Sequence, residues 1–128
     1  MHAQRVVLVA ESEASLQLSI CMTLMRMGLT AHRAGTVDAA LVILGRTRVD
    51  AVVLSAQLPD SLDLLMFLRA TSEYAHVPVL FYTGAALSDA AAEIAKRNGA
   101  EVFSGLAEYS ILIDRVCDVL DAVVVSRR

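Results

Sequence analysis

The 128-residue chain contains five short apolar runs. The segments between them carry the start and stop signals of helices. Most of these runs are apolar continuously rather than at alternate residues, which is typical of strands covered on both faces in a parallel sheet. Strands that alternate with helices imply right-handed crossovers, with helices on both faces of the sheet. The predicted strands are RVVLV (5–9), the half-polar LTAHRA (29–34), DAVVL (50–54), VPVLFYT (77–83) and AEVFS (100–104).

Capping residues and charged helix ends predict the limits of five helices. Ser12 is expected to cap the first helix, which runs to about Met27 and is followed by Gly28. The other predicted starts are Thr36, Asp60, Ser88 and about 108, and the predicted ends include Gly45, Gly99 and about 124.

The composition predicts one well-packed domain over residues 1–128, since 56% of the residues are hydrophobic and 20% are charged. A net charge of −3 without a basic stripe argues against nucleic acid binding by this chain alone. We find no signal peptide and no uncharged run near the length of a membrane span, so we expect a cytoplasmic protein without membrane contact. Cys21 and Cys117 lack metal or redox spacing and are expected to be core thiols.

Residues that follow the strands are the candidate site, because chemistry in such sheets collects at the carboxyl ends of the strands. The chain has no dinucleotide fingerprint and no P-loop motif, so the usual phosphate cradles are excluded. Ser55 lies outside any G-x-S-x-G elbow and has no strand-end histidine as a base, so we expect no enzyme activity. Glu11 and Glu13 flank Ser12, but two carboxylates from one loop make a poor Mg²⁺ site without a further ligand.

Four stretches of the sequence resemble the receiver domain of bacterial two-component response regulators: RVVLVAES…MRMGLTAHRAGTVDAALVIL, DAVVLSAQLPDSLDLLMFLRA, VPVLFYTGA and NGAEVFSG. The most specific signals are Val-Pro-Val at the fourth strand, Gly-Ala before the fifth, and the proline after the third. The resemblance covers essentially the whole chain. It implies a flavodoxin-like (βα)5 sandwich of three layers, with a parallel sheet in strand order 2-1-3-4-5, and a role in two-component or phosphorelay signal transduction.

The resemblance assigns the residues of the receiver site to positions in this chain. The acidic pair that binds Mg²⁺ in receivers falls at Glu11 and Ser12, so one acid is kept and one is lost. The position of the phosphorylated aspartate, counted back from Pro59, falls at Ser55. The loop after Pro59 also looks two residues shorter than in the family, which should reshape the rim of the pocket.

The remaining receiver positions fall at Thr83 and Phe103, the two switch positions, and at Leu106, where the family has a lysine. Aspartyl phosphorylation needs a carboxylate nucleophile, a divalent cation and a donor to the phosphoryl oxygens, and these groups act as a unit. The sequence therefore predicts a degenerate pseudo-receiver without Mg²⁺-dependent phosphorylation. Mg²⁺ binding is expected to be lost or weak, and no other cofactor is expected.

A pocket with fewer clustered carboxylates suffers less repulsion and favours one state, which suits a constitutive interaction module. By resemblance, the face that would contact a protein partner or a second copy in a homodimer comprises the fourth helix, fifth strand and fifth helix. Leu106 and Tyr109 are candidate residues of this face near the pocket rim. The methionines of the first helix, Met22, Met25 and Met27, are expected to fill the core.

Three alternatives stay open at the level of the sequence. The emptied pocket could serve a small-molecule or nucleotide-binding module. The chain could be a receiver that accepts phosphate by an unconventional route. Ser55 could be phosphorylated by a different type of kinase, although no sequence feature supports such a site.

Overall fold

One parallel sheet of five strands forms the centre of the molecule. The computed structural model describes residues 4–84, 87–105 and 109–126. The sheet order β2-β1-β3-β4-β5 and the parallel pairing confirm the predicted flavodoxin-like fold. Each strand begins one or two residues after the start of its apolar run. The strands are β1 (Val6–Ala10), β2 (Thr30–Ala34), β3 (Ala51–Ser55), β4 (Val79–Thr83) and β5 (Glu101–Ser104).

Five helices connect and follow these strands, as the alternating pattern predicts. The caps Thr36 and Ser88 are confirmed, because their hydroxyls accept hydrogen bonds from the backbone N–H of Ala39 at 3.0 Å and Ala91 at 3.2 Å. The helices are α1 (Ala14–Arg26), α2 (Val37–Arg46), α3 (Ser61–Ala70), α4 (Asp89–Arg97) and α5 (Tyr109–Ser126).

The predicted cap of the first helix is wrong, because Glu13 and not Ser12 caps α1. The Glu13 carboxylate accepts hydrogen bonds from the backbone N–H of Ser15 at 3.1 Å and of Leu16 at 2.9 Å. The Ser15 hydroxyl also donates to it at 2.6 Å, and this bond is the main reason that the pKa of Glu13 is lowered. Asp60 precedes α3 as predicted, but its side chain makes no capping hydrogen bond and its φ of 65° is left-handed.

Two apolar cores lie on opposite faces of the sheet. On one face α1 and α5 pack against side chains such as Val9 and Val53. On the other face α2, α3 and α4 pack against side chains such as Leu8 and Leu54. None of the helices described by the structure has the length and apolarity to cross a membrane.

The prediction that the methionines of α1 fill the core is wrong. Met22, Met25 and Met27 are 43%, 58% and 47% exposed. The helix already buries Ile20, Cys21 and Leu24 against the sheet, so these methionines have no core face left to occupy. Cys21 is buried as predicted, whereas Cys117 is only partly buried.

Candidate functional site

Three buried polar side chains lie where neighbouring strands end. Glu11 directly follows β1, whereas Ser55 and Thr83 are the last residues of β3 and β4. Their exposed fractions are 3%, 1% and 2%, values that polar residues reach only when their groups are hydrogen bonded. Because β1, β3 and β4 are adjacent, the structure brings together three of the residues that the sequence singled out.

A tyrosine that the sequence reasoning missed completes this cluster. The Tyr82 hydroxyl, which is buried, donates a hydrogen bond of 2.5 Å to Oε1 of Glu11. The backbone N–H of Glu13 donates to Oε2 of the same carboxylate at 2.9 Å. The Gln17 side chain donates to the Glu11 carbonyl at 2.8 Å, which fixes the backbone at this point. Both carboxylate oxygens of Glu11 are therefore bound by groups of the chain itself.

The Tyr82–Glu11 hydrogen bond passes over Ser55. It joins β4 to the end of β1, and β3 lies between those two strands. Ser55 pairs with Tyr82 in register, and Val53 belongs to the same core as Tyr82. Since side chains alternate along a strand, Ser55 points to the face that Val53 and Tyr82 share. A small side chain at this position leaves room for the tyrosine ring to cross the strand.

The Ser55 hydroxyl has a local hydrogen bond of its own. Its Oγ accepts from the backbone N–H of Gln57 at 3.2 Å, in the manner of a Ser turn. The Ser55 carbonyl accepts from the backbone N–H of Leu58 at 3.2 Å, and the backbone N–H of Ala56 donates to the Tyr82 carbonyl at 2.7 Å. Buried Leu58 belongs to the core under α2, α3 and α4 and closes the short loop over it. These contacts make Ser55 part of the turn that leaves the sheet.

The other sequence-predicted residues have different surroundings. Ser12 is exposed and so lies apart from the buried cluster. Phe103 pairs with Tyr82 in register and is partly buried against the core of α1 and α5. Leu106 lies outside the described residues. Tyr109 begins α5, but its side chain is outside the described part of the chain.

The residues at this edge do not fit the magnesium ion that a receiver pocket binds. A hard dication takes several oxygen ligands, with carboxylates prominent among them. Glu11 offers a carboxylate whose two oxygens are already engaged, and Ser55 offers a neutral hydroxyl. Across the described ranges, no three His, Cys, Asp or Glu side chains are grouped as a metal site requires.

The strand alternation contains the signal that could have found Tyr82. The residue lies one position before Thr83 and two after Leu80, on the face that receives α1 and α5. A tyrosine in such a position needs a partner for its hydroxyl when it is buried. The identity of that partner depends on the reach of two side chains across β3, which the sequence pattern does not encode.

Comparisons with known proteins address the fold. No protein-family model matches the sequence, and no curated protein sequence matches it significantly. A receiver domain protein (CheY-like) from Methanospirillum hungatei JF-1 is 16% identical with a TM-score of 0.83, covering 94% of this chain and 96% of that one. The chemotaxis response regulator CheY4 of Vibrio cholerae is 18% identical with a TM-score of 0.78, covering 92% and 99%.

A third structure comes from a different kind of protein. The signal receiver domain of a signal transduction histidine kinase from Syntrophus aciditrophicus is 18% identical with a TM-score of 0.81, covering 93% of this chain and 92% of that one. The match to these structures runs over nearly the full length of each chain. The protein therefore has the fold of response regulator receiver domains.

Proposed function

We propose that the chain is a pseudo-receiver, a receiver-fold module of bacterial two-component or phosphorelay signalling that acts through protein contacts without accepting a phosphoryl group. The fold supports the general role. The Tyr82–Glu11 hydrogen bond over Ser55 is the observation that carries the specific proposal. In this view the module works in the cytoplasm, is not an enzyme, and needs neither a cofactor nor nucleic acid.

The surroundings of Ser55 argue against phosphoryl transfer to its hydroxyl. A serine nucleophile needs a general base within hydrogen-bonding distance. The Glu11 carboxylate near it is held by Tyr82 and by the backbone of Glu13. Ser55 is also 1% exposed, so a phosphodonor could not reach the hydroxyl without a rearrangement of the groups around it. The same crowding counts against a nucleotide or small molecule in this pocket.

The Tyr82–Glu11 contact also favours a single conformation. It ties the end of β1 to β4 by a buried hydrogen bond, and ligands shift a conformational equilibrium only through different affinities for its states. A phosphoryl group would find neither a free carboxylate in Glu11 nor a carboxylate nucleophile at Ser55. The partner surface would thus be constitutively available.

The face formed by α4, β5 and α5 is proposed as the site of contact with a protein partner. Ile94 on α4 and Ile111 on α5 are 37% and 56% exposed there. The Arg115 guanidinium binds both carboxylate oxygens of Glu101, at 2.7–2.9 Å, and thereby ties α5 to β5. A face with apolar residues on elements held in a fixed relation suits a rigid docking surface.

Nuclear magnetic resonance tests the proposal directly. The natural chain is titrated with beryllofluoride and Mg²⁺, and separately with acetyl phosphate and Mg²⁺. We expect no shift in the amide signals of Ser55, Thr83 and Gly84, because the chain's own groups already satisfy the pocket. A saturable, Mg²⁺-dependent shift of these signals would refute the pseudo-receiver proposal.

A rebuilt site provides the positive control. The variant Ser12→Asp/Ser55→Asp/Leu106→Lys/Tyr82→Phe restores the receiver residues and removes the phenol that binds Glu11. We expect this variant to respond to beryllofluoride with Mg²⁺, whereas the same variant with Tyr82 retained responds more weakly. A parallel thermal-shift screen with nucleotides tests the small-molecule alternative, which specific stabilisation of the natural chain would favour.

A further inference from the structure

The outer face of α1 carries an apolar stripe that the fold does not cover. Leu18, Met22 and Met25 are 45%, 43% and 58% exposed, and Ser15 extends their row toward the helix start. Together these four residues are called the α1 stripe. Their spacing of three, four and three residues is that of the a and d positions of a coiled coil, the positions that pack against another helix.

The α1 stripe matches the same stripe on a second, antiparallel copy of α1. The spacing three-four-three reads the same in both directions, so an antiparallel copy of α1 presents side chains at matching intervals. With a twofold axis that crosses the stripe midway between Leu18 and Met22, Leu18 faces Met22 of the second copy, and Ser15 faces Met25. The central pair then joins two large apolar side chains, and each outer pair sets a small serine against a large methionine. Such a contact uses the same surface on both copies, so the assembly stops at a dimer.

The charges at the two ends of α1 favour a second copy as the occupant. Arg26 in the last turn is exposed and forms no ion pair with any described residue. Glu13 lies at the opposite end of the helix. In the antiparallel pair, Arg26 of each copy approaches Glu13 of the other, so the attraction occurs twice. The antiparallel helix dipoles add a favourable term.

We infer that a second copy of this chain docks antiparallel along the α1 stripe and forms a weak twofold dimer. The contact is short, because the 13 residues of α1 span about 20 Å. It falls below the roughly 800 Å² per partner that stable complexes bury, so the dimer forms only at high concentration. This inference concerns the surface of α1 and not the pocket, so its failure would leave the proposed function standing.

Sedimentation equilibrium of the full chain, from micromolar to millimolar concentration, provides the first test. Met22→Lys should weaken self-association by at least about tenfold, since it desolvates a cation against Leu18 of the second copy. Met66→Lys on α3 is the matched control, because Met66 is also 43% exposed, and it should leave association unchanged. A chain that is monomeric throughout, or equally sensitive to both substitutions, would overturn the inference.

A charge complementation test checks the antiparallel geometry. Arg26→Glu sets the new carboxylate against Glu13 of the second copy. Ala14→Arg sets the new guanidinium against Arg26 of the second copy and leaves the Glu13 cap in place. Each variant alone should fail to dimerise, whereas an equimolar mixture should recover association to near the natural level. Circular dichroism confirms that both variants fold. No recovery in the mixture, or loss of the dimer on Ile111→Lys but not on Met22→Lys, would overturn the proposed contact.

Discussion

The buried Glu11 carboxylate has both of its oxygens bound by groups of the chain itself. The sequence correctly marks an acid after the first strand, but the Tyr82 hydroxyl and the Glu13 backbone bind its two oxygens. Hydrogen bonds to charged groups contribute more than neutral ones, and a buried group left unsatisfied is costly. We therefore expect Tyr82 and Glu11 to be strongly coupled in stability.

A double-mutant cycle measures this coupling. Tyr82→Phe should lower the free energy of unfolding by about 2 kcal/mol, because it removes a donor from a buried carboxylate. In the background Glu11→Gln the same substitution should cost clearly less, which urea unfolding of the four proteins would show. Tyr74→Phe is the control, since the Tyr74 hydroxyl donates to the Leu44 carbonyl, and its effect should add to that of Glu11→Gln. Full additivity for Tyr82 would contradict the coupling.

Ser55→Asp places a second buried carboxylate beneath the Tyr82–Glu11 contact. Repulsion and burial raise the folded-state pKa of the introduced acid above its unfolded value, so the charged form destabilises the fold. We expect a loss of about 3 kcal/mol at neutral pH without Mg²⁺. This loss should shrink as the pH falls through the raised pKa, because the folded state then binds the proton.

Urea titrations of Ser55→Asp at several pH values measure this effect, with Ser55→Ala as the uncharged control. The control removes the hydroxyl without adding charge, so its stability relative to the natural chain should stay nearly constant with pH. A destabilisation of Ser55→Asp that is the same at pH 5 and pH 7 would argue against a second carboxylate beside Glu11.

At the scale of the elements, the helix caps show what a sequence can resolve. Thr36 and Ser88 are confirmed as caps, because each is the one capping residue before its helix. Ser12 fails because the next residue, Glu13, has a carboxylate that reaches two backbone donors. The exposure of Met22 and Met25 could not be predicted, since α1 has more apolar residues than one buried face needs.

Alanine substitutions distinguish Thr36, the confirmed cap of α2, from Ser12, the residue wrongly predicted to cap α1. Thr36→Ala should reduce the free energy of unfolding by about 1 kcal/mol, since the backbone N–H of Ala39 loses its acceptor. Ser12→Ala should change it very little, because Ser12 caps no helix and is exposed. Chemical denaturation of both variants checks the difference. A larger effect from Ser12→Ala would restore Ser12 as a structural residue of α1.

At the scale of the whole molecule, the alternation of apolar runs and helices predicted more of the architecture than any single motif did. The strand order 2-1-3-4-5 was predictable from the resemblance to receiver domains, even though the similar structures share only 16–18% identity with this chain. The alternation of apolar runs and helices predicts a parallel sheet with helices on both faces. The edge of the sheet that gathers Glu11, Ser55 and Thr83 was predictable for the same reason. The Tyr82–Glu11 contact was not, because it depends on two side chains meeting across a third strand.

The tyrosine over Ser55 has a consequence for mutational history. A lineage with this pocket would gain nothing from acquiring an aspartate at position 55 alone, since the new acid would lie beneath the Tyr82–Glu11 contact. Replacing Tyr82 first would leave Oε1 of Glu11 without its donor and weaken the fold. We expect each of these single substitutions to lower stability before any gain in chemistry appears, so an aspartate at position 55 would become tolerable only when both positions change together.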